Sequence, residues 1–197
     1  MAKVSGISRP ARRPLSRHTP FAAVAFALLL IGACNLSAQA PKITEYQVKA
    51  AYLANFGRFA EWPASVAVDK SESFNICVLG QDPFGADLDA AVAGETIGHT
   101  HVLAKRISRP QDAVDCRILF ISSSEASQWK EILAALRPLS VLTVSDIPQF
   151  TRRGGIIQFL LDGNRVRFDI NLAATERVGV KLSSELLKLA VTVSRSQ

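Results

Sequence analysis

The sequence predicts an α/β fold: a single-domain, mostly parallel sheet flanked by helices (a Rossmann-like sandwich), with a C-terminal hairpin and a terminal helix. Three observations carry this prediction. Phe74-Asn75-Ile76-Cys77-Val78-Leu79-Gly80 and Cys116-Arg117-Ile118-Leu119-Phe120-Ile121 are short apolar runs bounded by turn signals, the pattern of strands buried on both faces. Such runs alternate with segments of helical periodicity, which is the order that builds a parallel sheet. Two late apolar segments joined by Asp162-Gly163 read as a hairpin.

The first 40 residues stand apart from this pattern. Lys3, Arg9, Arg12, Arg13 and Arg17 come with no acidic residue, and Phe21–Ala33 is an unbroken apolar run of 13 residues, too short to span a bilayer. A basic start, a short apolar run and then small residues form a secretory signal, so residues 1–40 are read as a signal peptide and 41–197 as the domain. Two exits are open. Ala38-Gln39-Ala40 has the form of an ordinary cleavage site, with a cut after Ala38 or Ala40. Ile31-Gly32-Ala33-Cys34 has the form of a lipobox, in which Cys34 would carry the lipid; otherwise Cys34 is a small residue of the apolar run.

Removing that segment changes the charge argument. The chain has 23 basic and 17 acidic residues, formally +6. Five of the basic residues and none of the acidic ones fall within residues 1–40, which leaves +1 for the domain. Nothing in the mature part therefore suggests a nucleic-acid surface.

The elements follow in order. Glu45 to Phe59 reads as a helix whose apolar side is Val48, Ala51, Tyr52, Phe56 and Phe59, with Pro63 ending the segment after Glu61-Trp62. After the first strand, Asp82-Pro83-Phe84 reads as N-cap, N1 proline and first turn of a helix running to about Val92. Strands are expected at His101–Ile107, Cys116–Ser122 and Val141–Val144, with a helix from about Glu125 to Arg137 and a loop or short helix over Asp146–Arg153. Gly155–Leu161 and Asn164–Ile170 form the hairpin. Asn171 then offers a cap for a short helix broken at Gly179, because glycine costs about 1 kcal/mol inside a helix. Leu182, Leu186, Leu189, Ala190 and Val193 make the apolar stripe of a terminal helix, with Arg177, Lys181, Glu185 and Lys188 opposite.

Few residues point to chemistry. Cys77 and Cys116 are the cysteines of the domain; an exported protein most simply joins such a pair in a disulfide, and two separate buried thiols are the other reading. Gly80-Gln81-Asp82-Pro83-Phe84-Gly85 sits where phosphate loops occur but matches neither the dinucleotide nor the Walker pattern, so it reads as a turn. His99 and His101 lack the acidic or thiol neighbours of a zinc site. Ser122-Ser123-Ser124 lacks a nucleophile elbow and reads as a cap. Trp62 is either a core anchor or part of a ligand or partner surface, and the charged side of the terminal helix is a second candidate surface. No catalytic set, cofactor or metal is expected.

A resemblance adds to this reading. Glu45-Tyr46-Gln47-Val48-Lys49-Ala50-Ala51-Tyr52-Leu53, continuing through Asn55-Phe56 to Glu61-Trp62-Pro63, resembles the opening motif of the YfiR family of exported bacterial proteins. Val166-Arg167-Phe168-Asp169-Ile170-Asn171-Leu172, through Gly179-Val180-Lys181-Leu182-Ser183-Ser184 to Leu187-Lys188-Leu189-Ala190, resembles its closing motif. Ala54 and Gly57 are smaller than the pattern, a departure expected to loosen the packing of the first helix. Cys77 and Cys116 match a disulfide pair of the best-known member, whose second pair has no counterpart here. The resemblance implies a periplasmic repressor that binds the periplasmic sensor domain of an inner-membrane diguanylate cyclase, lowering cyclic-di-GMP and biofilm formation. It also implies sequestration by an outer-membrane, peptidoglycan-binding lipoprotein, and a homodimer is a further open partner. The alternative reading is a periplasmic module that senses a small ligand for another membrane signalling protein, since open α/β sheets bind ligands beyond their strand carboxyl ends.

Overall fold

The structure, a computed structural model, describes residues 43–64 and 73–195; the signal segment, its cleavage sites and Cys34 lie outside the described residues. Helix α1 (Glu45–Phe56) begins at a capping box: the Thr44 hydroxyl accepts from the Gln47 N–H at 3.2 Å, and the Gln47 side chain accepts from the Thr44 N–H at 2.9 Å. Its expected last turn tightens into a 3₁₀ turn, Gly57–Phe59, that leads into strand β1 (Ala60–Glu61).

The sheet contains β2 (Ser73–Leu79), β3 (Thr96–Ile97), β4 (Thr100–Ile107), β5 (Cys116–Ile121), β6 (Leu142–Ser145), β7 (Ile157–Asp162), β8 (Arg165–Asn171) and β10 (Val193–Ser194). Their spatial order is β10-β8-β7-β6-β5-β2-β4-β3. From β4 through β7 neighbouring strands are parallel, β7 and β8 form the antiparallel hairpin, and β10 runs parallel to β8. The short β3 pairs antiparallel with β4 across a tight turn at Gly98-His99, a hairpin for which the sequence reading had only the second strand.

Alternation along the buried strands makes two cores. Ile76, Val78, Ile118, Phe120, Leu142 and Val144 point to the side covered by α1 and α2 (Ala86–Val92). Leu79, Leu119 and Ile121 point to the side covered by α3 (Trp129–Leu136) through Ile132 and Leu136. Two helix starts differ from expectation. Asp82 does not cap α2; its carboxylate accepts from the Phe84 N–H at 2.8 Å and from Arg106 at 2.8 Å, which fixes a turn ahead of the helix. Ser122 caps a 3₁₀ turn at Ser123–Glu125, and α3 begins only at Trp129.

The buried side of α1 is Lys49, Ala50, Leu53 and Phe56, one position round from the expected stripe, and Ala51 is exposed. The rotation has a physical cause. Lys49 is only 3% exposed because its ammonium is paired with Asp146 at 2.8 Å and Glu45 at 2.6 Å. Further along, Phe56 stacks on Phe159 of β7 at 5.9 Å and meets Phe168 of β8 edge-on at 5.3 Å. Gly57 leaves no loose space: a Cβ there would lie 2.4 Å from Ile97 and 2.8 Å from Phe74, so the small residue permits close packing.

The C-terminal region departs furthest from expectation. Helix α4 (Leu172–Val178) is capped by Asn171, which accepts from the Ala174 N–H at 3.1 Å, and it ends at Gly179 with φ 72°, the left-handed cap glycine favours. The long terminal helix is instead β9 (Lys181–Leu182), α5 (Ser184–Leu189) and β10. Leu186 is buried, but Leu189 is 59% and Val193 37% exposed, so the predicted stripe does not act as one face. Main-chain pairing with β8 accounts for the change. The Val191 N–H donates to the Phe168 carbonyl and the Ile170 N–H to the Thr192 carbonyl, each at 2.9 Å, which draws the chain out straight after Leu189.

Cys77 and Cys116 form a disulfide with a Cα–Cα distance of 5.9 Å. Strict alternation would send Cys116 to the α1 side with Ile118 and Phe120, away from Cys77. The β2–β5 register slips between Asn75, opposite Cys116, and Ile76, opposite Ile118. This bulge turns Cys116 to the α3 side, where Cys77 lies.

Two outcomes follow. Cys77→Ser should lower unfolding stability by on the order of 2–5 kcal/mol in chemical denaturation, and peptide mapping without reductant should recover the Cys77–Cys116 linkage. Lys49→Met should cost on the order of 3 kcal/mol, because it leaves the part-buried Asp146 carboxylate without its counter-charge. Adding Asp146→Leu should restore much of that loss, and a double variant no better than Lys49→Met would contradict the pairing.

Candidate functional site

The two motifs that carry the resemblance meet in space. At the end of α1 the chain turns through Phe59 into β1, which pairs antiparallel with β9, Ala60 opposite Leu182 and Glu61 opposite Lys181. The Ser183 N–H donates to the Phe59 carbonyl at 2.9 Å and extends this seam by one bond. Pro63 packs so closely on Gly179 that a Cβ there would lie 2.8 Å from its Cγ. Trp62 is half-buried and lies edge-on to Phe74 at 5.3 Å, while its indole N–H is buried without a partner among the described residues. Trp62 therefore anchors the chain to the core directly after β1.

The four charged candidates do not share one helix face, because the single helix expected there does not form. Arg177 lies on α4, Lys181 on β9, and Glu185 and Lys188 on α5; all are exposed. Lys181, Glu185 and Lys188 follow one another along the seam and its adjoining helix. Arg177 instead donates from Nη2 to the Gly154 carbonyl at 3.4 Å.

The sequence reading passed over the part-buried polar cluster around Lys49. Asp146, just past the carboxyl end of β6, accepts from Lys49 and from the Tyr46 hydroxyl, at 2.8 and 3.0 Å. The Lys49 ammonium also lies 4.4 Å from the centre of the Tyr46 ring. Burial draws the Lys49 pKa down, but hydrogen bonds to Asp146 and Glu45 outweigh it and hold the pKa above its ordinary value. Burial and the Asp146 carboxylate push the Tyr46 phenol up as well. A lysine acting as base or nucleophile needs a lowered pKa, so this ammonium acts as a locked structural charge. The stability it contributes is fully present below the ordinary lysine pKa and is lost only as pH rises through the raised one. A lysine followed by strong helix apolars, with an aspartate closing a buried strand, was the available signal; spacing alone could not pair residues so far apart.

The remaining candidates are structural or solvated. In the parallel sheet, the chain order reverses between β2 and β5, where ligands of open α/β sheets usually enter. Here the segment after β5 closes on the turn after β2. The Ser124 hydroxyl accepts from the Gln81 N–H at 3.0 Å and donates to Glu125 at 2.9 Å, and a Cβ on Gly80 would lie 2.5 Å from either side chain. Arg106 binds Asp82, Asp89 and the Gly85 carbonyl across the turn that follows β2, and its guanidinium holds the Asp89 carboxyl below its ordinary range. His99 and His101 are exposed, and no group of three potential metal ligands occurs among the described residues. Among the same residues, no helix is long and apolar enough to cross a membrane.

Comparison with known proteins fits this framework. The chain is similar in fold to a conserved domain protein from Vibrio cholerae O1 biovar El Tor, with 9% identity and a TM-score of 0.52 over 77% of this chain and 60% of that one. It is similarly related to the ABC domain from Streptococcus pneumonia crystallised with L-Trp, with 10% identity and a TM-score of 0.50 over 74% of this chain and 60% of that one. The chain thus spans 60% of the length of each matched structure, and at such identities the likeness is one of fold. Residues 46–191, from the first turn of α1 to the approach to β10, match the YfiR/HmsC-like family, and the chain belongs to that family.

Proposed function

We propose that the chain is a periplasmic regulator that represses an inner-membrane diguanylate cyclase by binding its periplasmic sensor domain, lowering cyclic-di-GMP and biofilm formation. Family membership across residues 46–191 is the observation that carries this reading. Export follows from the basic and apolar segment at residues 1–40, through ordinary cleavage or through lipidation of Cys34. A regulator of this kind acts by binding one state of its partner better than another, so it needs a rigid surface more than a reactive group. The β1–β9 seam fits that need: Pro63 packs on Gly179 beside it, Trp62 anchors the chain to the core at its end, and Lys181, Glu185 and Lys188 are exposed along the other motif. Release of the cyclase is assigned to an outer-membrane, peptidoglycan-binding lipoprotein that competes for the regulator. A homodimer is compatible with this scheme and is not required by it.

The ligand-sensing alternative has less support at the places first expected. At the switch point Ser124 and Glu125 lie close against the Gly80-Gln81 turn, and Trp62 is packed against Phe74.

Deleting the gene should raise cyclic-di-GMP and biofilm in cells that express the cyclase. Unchanged cyclic-di-GMP in such cells would count against repression. The double variant Lys181→Glu/Lys188→Glu should fail to restore repression while its melting temperature stays nearly that of the wild type, since exposed charges contribute about 0.2–1 kcal/mol. Full complementation by that variant would remove the seam from the interface.

A further inference from the structure

On the α3 side of the sheet, the chain leaves an open cleft of about 630 Å³ between α3, the start of β6, the turn at Arg153–Ile156, and α4. Leu133, Val141 and Ile156 contribute an apolar lining, and the indole of Trp129 stands at one side. Lys130, Arg137, Arg153 and Arg177 also line it, and no aspartate or glutamate does.

These four cations are exposed and, among the described residues, none of them is in an ion pair. Arg58, Arg106 and Arg109, by contrast, each hold a carboxylate. The cleft cations make only light contacts with the protein. Arg153 lies 5.3 Å from the Trp129 ring centre and Lys130 5.7 Å. Arg153 reaches Gln149 at 3.5 Å and Arg177 reaches the Gly154 carbonyl at 3.4 Å, so most of their donors are uncommitted. Four like charges around one concavity repel one another, and apolar walls focus their field into it. This concentration is local, because residues 41–197 carry a net charge of only +1.

We infer that this cleft binds a small amphipathic organic anion: a carboxylate or phosphate held by the arginines, joined to a flat apolar body that lies against Trp129 and the aliphatic lining. The planar guanidinium fork matches both headgroups, and the volume falls within the range of about 300–1,000 Å³ typical of small-molecule sites. The inference does not depend on the repressor reading, because the cleft uses none of the seam residues. It also gives Arg177 a role apart from Lys181, Glu185 and Lys188.

The test uses the Trp62→Phe protein, in which Trp129 is the remaining tryptophan. Its indole N–H resonance is followed by NMR during titration with 2-naphthyl phosphate, 2-naphthoate and the uncharged 2-naphthamide. Both anions, or either, should shift the Trp129 signal with a Kd below about 1 mM, and the amide should bind at least about tenfold more weakly. Whichever anion binds tighter identifies the headgroup. Arg153→Gln/Arg177→Gln should weaken anion binding at least about tenfold, a difference of about 1.4 kcal/mol, with an unchanged melting temperature. The proposal is overturned by no shift at millimolar anion, by equal binding of the amide, by unaltered affinity in the double variant, or by tighter binding of a poly-glutamate peptide than of either naphthyl anion.

Discussion

The arrangement depends on where Phe56 sits. It is 1% exposed at the end of α1, stacked on Phe159 and set edge-on to Phe168, with Tyr52 completing the group at 5.5 Å from Phe168. Burying large aromatic rings in such pairs contributes more than their area alone. The contact also has a topological effect. Phe56 closes the first helix and Phe168 lies in the last long strand, so one cluster docks the N-terminal element of the domain across the C-terminal hairpin. Once it is in place, the chain leaving α1 must run beside the chain leaving α4, and β1 and β9 pair. Gly57 is part of the same constraint, since any side chain there would push against Phe74 and Ile97 and lift the end of the helix.

Much of this was legible in the sequence. Buried parallel strands announced themselves as continuous apolar runs, the hairpin through Asp162-Gly163, and the α4 boundaries through Asn171 and Gly179. What failed was decided by partners distant in sequence. Periodicity puts a lysine outside, yet Lys49 is inside because Asp146, 97 positions away, supplies its counter-charge. The same logic undid the terminal helix. Residues 182–193 have a helical apolar stripe, but the free edge of β8 offers main-chain partners that the stripe cannot reveal. A strand's alternation likewise gives no warning of a bulge, and only the bulge at Cys116 puts both sulfurs on one side of the sheet.

The charged surface was legible as composition and misleading as geometry. Arg177, Lys181, Glu185 and Lys188 were grouped on one imagined helix; three elements now carry them. The division separates two regions with different chemistry. The seam, proposed to meet a protein partner, offers a mixed-charge surface on a main-chain frame. The Trp129 cleft is concave, uniformly cationic and apolar within, suited to an organic anion. Its components were invisible in order, since Trp129, Arg153 and Arg177 belong to three separate elements that the fold brings to one opening.

The proposed regulator is defined by what it holds. The most direct measurement is affinity purification of the full-length chain from detergent-solubilised membranes of its native cells, with identification of the retained proteins by mass spectrometry. The account predicts that a membrane diguanylate cyclase is retained, and that it is lost when the seam carries Lys181→Glu/Lys188→Glu. Retention of no cyclase from cells that express one would contradict the account at its centre.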